Sequence, residues 1–256
     1  MPRRPRIEIS GYYHIVNRGV ERRVVFYDKD DFKYFINLLS KACEEFNIVL
    51  HNYCLMNNHY HLLIELKEEN LSKYMRHINS TYAIYFNKKY KRTGHLWQGR
   101  FKSWYVVNEA YLYILMRYIE QNPLKAKMVD KIEHYPYSSS YYFFKPKNMP
   151  NYLQNSWIVK TYKENIEEIE SFFTLEIDID DLKELEKASS LVEASDVEKK
   201  IDKEKLINLF DKITNNQERN KNILKAYKQG YSQYMIAKTI GISQPAVNAI
   251  IKRVGE

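Results

Sequence analysis

Residues 47–66 read NIVLHNYCLMNNHYHLLIEL, and this stretch decides the fold of the first part of the chain. It contains two strand-like apolar runs separated by Asn57 and Asn58. Asparagine tolerates the positive φ angles of a tight turn, so the stretch predicts a β-hairpin. Side chains alternate along a strand, and we therefore expect His59 and His61 to project from one face of the second strand.

The spacing of apolar residues on both sides of this hairpin predicts further strands and helices. The predicted order is strand 12–17, a helix from 30, strands 47–56 and 59–66, helix 71–90, strand 101–107 and helix 108–122. The last helix should end near Asn122, because Pro123 disfavours helical geometry in the residue before it. The order β-α-β-β-α-β-α predicts an α+β fold, a ferredoxin-like split βαβ antiparallel sheet with helices on one face. The other face, with the histidines, would remain available for a ligand.

Charge divides the 256-residue chain into three units. Residues 1–150 carry 24 Lys/Arg against 14 Asp/Glu, residues 151–200 carry 6 against 13, and residues 201–256 carry 10 against 5. We therefore expect a basic domain over 1–150, an acidic helical connector over 151–200 and a second basic domain over 201–256. Two basic modules favour a polyanionic partner, because neutralising phosphates releases counterions.

Cysteine content and hydropathy limit the location of the protein. Only Cys43 and Cys54 occur, too few for a disulfide framework, and no apolar stretch at the start resembles a signal sequence. No apolar run approaches the roughly 20 residues that cross a bilayer. The expectation is a cytoplasmic protein with no membrane partner.

The last 56 residues carry a separate pattern. Ser232 and Ser243 are suited to cap two short helices, and Gly241 supplies the turn between them. This all-α arrangement predicts a helix-turn-helix whose second helix reads duplex DNA. Its candidate DNA contacts are Gln244, Asn248, Lys252 and Arg253.

The candidate chemistry combines a metal with a phenol. A His-x-His pair alone is weak evidence, because two histidines on a strand often have only a structural role. Tyr118 and Asn122, however, lie four residues apart and share one helix face. A Mg²⁺ or Mn²⁺ ion held by His59 and His61 would also need an oxygen ligand, for which Asn122 is preferred and Gln121 is the alternative.

Several other residues are alternatives for these roles. Cys54 faces His61 across the predicted hairpin and is either a soft zinc ligand or a small buried hydrophobe, the reading that we prefer. Tyr111 and Tyr113 are rival nucleophiles, but neither precedes an Asn-Pro pair as Tyr118 does.

Basic side chains near the predicted strand ends are candidates for phosphate contacts or for a solvated rim. These are Arg18, Arg22, Arg100 and Lys102. Trp97 either stacks on a base or anchors its loop in the core. The arm that contains Arg3, Arg4 and Arg6 would follow a DNA groove.

Four motifs together resemble a known family. They are YHIVNRG at 13–19, MNNHYHLLI at 56–64, LWQGRFKS at 96–103 and YIEQNPLKA at 118–126. The chain resembles the REP-associated tyrosine transposases, a branch of the HUH single-tyrosine transposases, over about residues 6–145. Domain 1–150 would then be the catalytic domain.

The resemblance implies a mechanism. His59 and His61 would hold a divalent ion, and Tyr118 would attack a phosphodiester in folded single-stranded DNA. The product would be a 5′-phosphotyrosyl intermediate with a free 3′-hydroxyl. A second hydroxyl would then attack this phosphotyrosine bond and release Tyr118. The chain departs from the family at Asn57, where proline is common, and at 125–127, where Lys-Ala-Lys replaces the common Arg-Ala-Gly. Lys125 keeps the positive charge and remains a candidate DNA contact.

Two other functions remain open at this point. One is a non-enzymatic DNA-binding regulator that works through the helix-turn-helix, and the other is a replication-initiator-like nickase with the same tyrosine chemistry. A homodimer is also possible, in which Tyr118 would serve the metal site of the partner.

Overall fold

The computed structural model of the chain describes residues 8–106, 109–175, 177, 203–211, 213, 215–228, 231 and 233–255. Its first part is built on four strands, β1 (Gly11–Arg18), β2 (Ile48–Met56), β3 (His59–Leu66) and β4 (Lys102–Tyr105). They form one antiparallel sheet in the order β2-β3-β1-β4. The predicted α+β fold class is confirmed, and the predicted hairpin is β2 and β3.

The register of β1 against β3 decides which side chains share a face. Arg18 pairs with His59, and His14 pairs with Leu63 two residues beyond His61. Directly opposed residues of antiparallel strands point to the same side of the sheet. His14, Arg18, His59 and His61 therefore lie on one side, which we call the histidine face.

Two helices, α1 (Lys29–Glu45) and α2 (Leu71–Lys89), cover the opposite face. Phe35 of α1 packs against both Tyr60 of β3 and Tyr82 of α2, with ring centroids 5.0 and 4.9 Å apart. All three side chains are fully buried. This aromatic cluster fixes the two helices on the sheet, as the split βαβ pattern predicts.

Helix α1 begins with a capping box at Asp28. The Asp28 side chain accepts hydrogen bonds from the backbone of Asp30 and Asp31, and the Asp31 side chain accepts one from the backbone of Asp28. Such a capping box contributes about 1 kcal/mol to helix stability. Lys89, at the end of α2, reaches both carboxylates at 2.8 and 2.7 Å and joins the two helices.

A third helix, α3 (Glu109–Lys125), lies against the histidine face, so that face is not left wholly open as expected. Asn52 of β2 donates a hydrogen bond to Glu120, and the ring of Tyr118 contacts that of His61. The sequence predicted this helix but not its position on the sheet.

The predicted end of α3 near Asn122 is wrong, because Pro123 lies inside the helix. Proline has no N–H to donate to the carbonyl of Ile119. The Asn122 side chain compensates, since its Nδ2 lies 2.7 Å from the carbonyl oxygen of Tyr118 and 3.4 Å from that of Ile119. The helix thus continues for almost one more turn, to Lys125, and Ala126 N donates to Asn122 O at 3.0 Å.

Residues 151–174 do not form the solvated connector that the charge pattern predicted. After the short helix α4 (Ser140–Phe143), they fold into α5 (Trp157–Tyr162) and α6 (Ile166–Thr174). Their apolar side chains at helical spacing are buried, namely Ile158, Ile169, Phe172 and Phe173. The first packed unit therefore extends beyond residue 150, to Thr174 at least. The predicted connector residues 176 and 178–202 lie outside the described residues.

Among the residues described from Lys203 onward, the chain forms α7 (Lys203–Phe210), α8 (Asn216–Lys228), α9 (Gln233–Ile240) and α10 (Gln244–Gly255). Gly241, between α9 and α10, has a φ of 71°, a value that favours glycine at a helix end. Ser243 caps α10, since its Oγ accepts from Ala246 N at 3.3 Å. Ser232 lies outside the described residues. In the part that the structure describes, no helix combines the length and the apolar character of a membrane span.

Candidate metal centre and nucleophile

His59 and His61 lie side by side on β3, with ring centroids 5.1 Å apart and ring planes at 77°. His61 is only 4% exposed and His59 is half-buried. Burial, helped by the charge of Arg18, lowers the pKa of His59 to about 4, and burial holds the pKa of His61 well below its ordinary value. Both imidazoles are therefore neutral at physiological pH, which is the form that binds metal ions.

One nitrogen of each imidazole is engaged in a hydrogen bond. His59 Nδ1 lies 2.6 Å from Oδ1 of Asn58, and His61 Nδ1 lies 3.1 Å from Nε2 of His14. Because a carbonyl oxygen only accepts, His59 donates from Nδ1 and keeps a lone pair on Nε2. A histidine anchored by one nitrogen and offering the other is the usual arrangement around protein-bound metals.

The imidazoles of His59 and His61 would fit a divalent ion together with a side-chain amide oxygen as a third ligand. Within the described ranges, no group of three or more His, Cys, Asp or Glu residues is arranged to hold a metal. The amide predicted from the sequence is a ligand type that lies outside this set. Asn122 uses its Nδ2 within α3, and these bonds leave its Oδ1 free to act. Gln121 instead donates to the carbonyl oxygen of Phe173 at 3.0 Å. Gln121 is thus held against α6, whereas Asn122 lies on the same helix face as Tyr118, and this difference supports Asn122 over Gln121.

Tyr118 reaches the same place from α3. Its ring lies edge-on to His61, with centroids 5.9 Å apart and planes at 84°, and 6.5 Å from the His14 ring. Lys125, two turns further along α3, places its Nζ 5.2 Å from the centre of the Tyr118 ring. One chain therefore brings together the phenol and both predicted imidazole ligands.

Glu120 is a buried residue that the sequence reasoning missed. Its Oε1 accepts from Asn52 Nδ2 at 2.7 Å and from the Ser139 hydroxyl, and its Oε2 accepts from Ser140 N at 2.9 Å. Burial raises the pKa of Glu120 although these hydrogen bonds favour the carboxylate. The network ties α3 to β2 and so fixes the position of Tyr118. Helical spacing could have shown it, because Glu120 falls four residues after the buried Met116.

Most predicted DNA contacts that the structure describes are at the surface. Arg18 is half-buried at the end of β1 on the histidine face, and the other described ones are exposed: Arg22, Arg100, Lys102, Lys125 and Arg253. Lys102 of β4 pairs with Val16 and so points to the histidine face as well. Arg3, Arg4 and Arg6, and the side chains of Gln244, Asn248 and Lys252, lie outside the described residues.

Trp97 is held within the protein. Its Nε1 donates to the carbonyl oxygen of Asn79 at 3.0 Å, and its ring packs on Tyr60 and Tyr82 with centroids 5.5 and 5.9 Å apart. These contacts favour the anchoring role over base stacking.

Cys54 lies directly opposite His61 and is fully buried. Burial raises the pKa of this thiol well above its ordinary value, and its Sγ lies 3.7 Å from Sδ of Met56. A thiol that stays protonated is a poor metal ligand. The contacts favour the small buried hydrophobe over the zinc ligand.

Part of the chain is similar to known proteins. Residues 9–122 match the family model described as "Transposase IS200 like". A Haemophilus influenzae protein described as a candidate REP-associated tyrosine transposase is 26% identical over 132 residues, which cover 47% of this chain and 74% of the relative. The family match starts just before β1 and ends at Asn122, so the matched range includes His14, Tyr118 and the three predicted metal ligands.

Two solved structures align with the chain. A REP-associated tyrosine transposase bound to a REP hairpin has a TM-score of 0.48 and 19% identity, covering 59% of this chain and 89% of that one. A candidate transposase from Deinococcus radiodurans R1, solved at 1.90 Å, has a TM-score of 0.34 and 16% identity, covering 47% and 97%. The resemblance of the first part of the chain to the REP-associated tyrosine transposases is confirmed by the family match and the Haemophilus relative.

Proposed function

We propose that the protein is a metal-dependent tyrosine transposase that cleaves and rejoins single-stranded, hairpin-bearing DNA. The observation that carries this proposal is the meeting of Tyr118 with His59 and His61 on the histidine face, all within one chain. The family match over residues 9–122 and the Haemophilus relative support the class of enzyme. The contact between Tyr118 and His61 supports a site in which both come from the same protomer, whether or not the protein dimerises.

The residues that would hold a Mg²⁺ or Mn²⁺ ion are His59 and His61, through their Nε2 atoms, and Asn122, through its amide oxygen. A bound ion would neutralise charge on the phosphate oxygens and so make the phosphorus easier to attack. Mn²⁺ suits mixed imidazole and oxygen ligands better than Mg²⁺, which prefers oxygen alone.

Tyr118 supplies the nucleophile. Its phenolic oxygen loses its proton and forms a bond to phosphorus, while the bond from phosphorus to the 3′-oxygen breaks. The leaving 3′-oxygen takes up a proton and becomes a free hydroxyl, and the 5′-phosphate stays on Tyr118. The ester retains the energy of the broken bond, so a second 3′-hydroxyl rejoins the strand without ATP.

Positive charge around the nucleophile supports this step. Lys125 lies over the Tyr118 ring, and Arg18 and Lys102 belong to the same side of the sheet. A preorganised cation stabilises a developing phenolate and the charge of the phosphate. The same charges attract a DNA strand and clamp its backbone.

The preferred substrate is folded single-stranded DNA. The relative solved with a REP hairpin binds such a substrate, and the excess of basic residues in 1–150 is consistent with it. The helices α9 and α10 would form the helix-turn-helix, and α10 would then direct the enzyme to duplex DNA.

Incubation with a pool of labelled single-stranded hairpins and Mn²⁺, followed by mapping of any DNA–peptide adduct, tests the proposal. We expect an adduct on the peptide that contains Tyr118, and no adduct in EDTA or in the double variant His59→Ala, His61→Ala. Tyr118→Phe should abolish the adduct while it still binds the hairpin. Tyr111→Phe and Tyr113→Phe, on the same helix, are matched controls that should keep the adduct.

The possible outcomes separate the competing functions. An adduct that persists in Tyr118→Phe would exclude the nucleophile, and an adduct that forms in EDTA would exclude the role of the metal. Hairpin binding without any adduct would indicate a DNA-binding regulator. Cleavage without transfer to a second strand would indicate a nickase.

A further inference from the structure

A third histidine, His14 of β1, is buried beside the predicted metal ligands. It is 1% exposed, and its Nε2 lies 3.1 Å from Nδ1 of His61. The two ring planes differ by 14° and the centroids are 5.4 Å apart, much further than the two nitrogens. The rings therefore face each other edge to edge, with the nitrogens aimed at one another. Two ligands of one ion would instead direct their lone pairs towards the ion, so this contact is a hydrogen bond.

The direction of this hydrogen bond follows from the chemistry of His61. A neutral imidazole carries one proton, on either Nδ1 or Nε2. If His61 binds a metal through Nε2, its proton must be on Nδ1, and His61 then donates to Nε2 of His14. His14 is thus the acceptor that holds His61 in the metal-binding tautomer.

The second ring nitrogen of His14 indicates that a histidine at this position is not there to stabilise the fold. Its Nδ1 is buried and has no hydrogen-bond partner among the described residues. Leaving a buried polar atom unpaired is unfavourable whichever nitrogen carries the proton. An apolar side chain would avoid this cost at the same position. The bond to His61 accounts for a histidine here.

The neighbours of His14 hold its ring in place. The Trp104 ring packs on one side, with centroids 5.2 Å apart and planes at 36°, and the Tyr118 ring lies edge-on at 6.5 Å. The imidazole cannot turn away from His61 without displacing these aromatic side chains. The acceptor is therefore preorganised.

We propose that His14 is a positioning residue for the metal: it fixes the tautomer and the orientation of His61, so that Nε2 of His61 is presented to the ion. The proposal rests on the metal site proposed above. It assigns a role to the histidine of the YHIVNRG motif, and it does not make His14 a ligand.

Titration of the full-length protein with Mn²⁺, followed by electron paramagnetic resonance, tests this role. His14→Phe keeps the ring volume but removes the acceptor, and we expect it to weaken Mn²⁺ binding about 10- to 100-fold. His14→Gln places an accepting amide oxygen near the position of Nε2 and should restore most of the affinity. His51→Gln replaces another buried histidine of the same sheet, one that bonds to Glu65 and to the Trp157 backbone and not to His61, and should bind Mn²⁺ like the unchanged protein.

A second measurement needs no substitution. ¹⁵N NMR of the imidazoles with Zn²⁺, a diamagnetic probe, should show the proton of His61 on Nδ1 and that of His14 also on Nδ1. This result decides the proposal even if His14→Phe does not fold.

Three results would overturn the proposal while the metal site stands: unchanged Mn²⁺ affinity in His14→Phe, equal loss in His14→Phe and His14→Gln, or a His61 proton on Nε2. If the unchanged protein does not bind Mn²⁺, or if His59→Ala binds it as tightly, the metal site itself is wrong and this proposal fails with it. The two failures are thus distinguishable.

Discussion

The ring of Tyr118 meets the ring of His61 edge-on, with centroids 5.9 Å apart and planes at 84°. This contact joins α3 to β3, and the Glu120 network joins α3 to the neighbouring strand β2 from within the core. The groups proposed for catalysis are therefore assembled before DNA arrives. Preorganisation of this kind means that little binding energy is needed to bring the nucleophile into place.

The third ligand can be identified by comparing two neighbouring amides. Asn122→Ala should weaken Mn²⁺ binding at least about tenfold, equivalent to about 1.4 kcal/mol, because it removes an oxygen ligand. Gln121→Ala should have little effect, because its side chain is directed to the carbonyl of Phe173. Isothermal titration with Mn²⁺ measures both, and Asn122→Asp, which keeps an oxygen, should retain binding. A larger loss in Gln121→Ala would reverse the assignment.

Lys125 should speed the attack by Tyr118. Its ammonium group lies 5.2 Å from the centre of the phenol ring. Lys125→Met should slow adduct formation about tenfold, since loss of the cation raises the barrier by about 1.4 kcal/mol. Lys125→Arg should be nearly as fast as the unchanged protein.

Single-turnover rates at saturating hairpin separate this effect from weaker DNA binding. Lys127→Met removes a charge from the same exposed turn, where the structure places no contact with the phenol, and serves as the control. Equal rates for the two methionine variants would show that Lys125 acts only through general charge.

Lys127 adopts a backbone conformation that favours glycine. Its φ is 55°, just after the end of α3. A side chain in the left-handed region costs about 1 kcal/mol, so Lys127→Gly should raise the free energy of unfolding by up to that amount. Urea denaturation measures the change. Lys131→Gly is the control, because Lys131 has a φ of −139° and glycine there should destabilise the protein. Destabilisation by both variants would contradict the explanation.

His51 should make the first packed unit less stable in mild acid. Its Nδ1 accepts from the backbone N–H of Trp157 at 2.9 Å, and its Nε2 faces Glu65 at 3.3 Å. Burial lowers the pKa of His51. The charges of Lys67 and Lys160 lower this pKa further, whereas the carboxylate of Glu65 raises it, and the net effect is a lowered pKa. The unfolded chain therefore binds a proton near pH 6.5 that the folded protein resists. Stability from this group is complete above that pH and is lost as the pH falls towards the folded pKa.

The measurement compares the unchanged protein with His51→Gln between pH 7.5 and 5. The difference in unfolding free energy should shrink as the pH falls, by at most about 1.4 kcal/mol per pH unit. The protection factor of the Trp157 amide, which corrects for the slower intrinsic exchange at lower pH, should fall over the same range. Parallel stability curves for the two proteins would rule out the titration of His51.

Local patterns predicted much of the fold and of the site. The bounds of β3 were predicted to the residue. The patterns that predicted them, alternating apolar residues and the Asn57-Asn58 turn, depend only on residues that are close in sequence. The spacing of Tyr118 and Asn122 on one helix was readable for the same reason. His14 was not assigned a role, because its place beside His61 depends on the register between two strands that are distant in sequence.

The missed features have specific physical causes. The charge of residues 151–174 predicted a solvated connector, but their buried stripe of aromatic and aliphatic side chains outweighs that charge. The rule that a helix ends before proline failed at Pro123. Proline has no N–H to donate to the carbonyl oxygen of Ile119, and the side-chain amide of Asn122 donates to that oxygen instead. In both regions, a tertiary or side-chain contact overrode a rule that considers only neighbours in sequence.

The packing of residues 151–174 limits where this protein can be divided. Three hydrogen bonds, besides ring contacts, attach the segment to the sheet and to α3: Trp157 to His51, Tyr152 to Tyr53, and Gln121 to Phe173. A gene fusion or a natural exchange of the C-terminal module with its junction at residue 150 would strip these links and leave apolar surface bare. We therefore expect exchange of C-terminal modules in such chains to use junctions after Thr174.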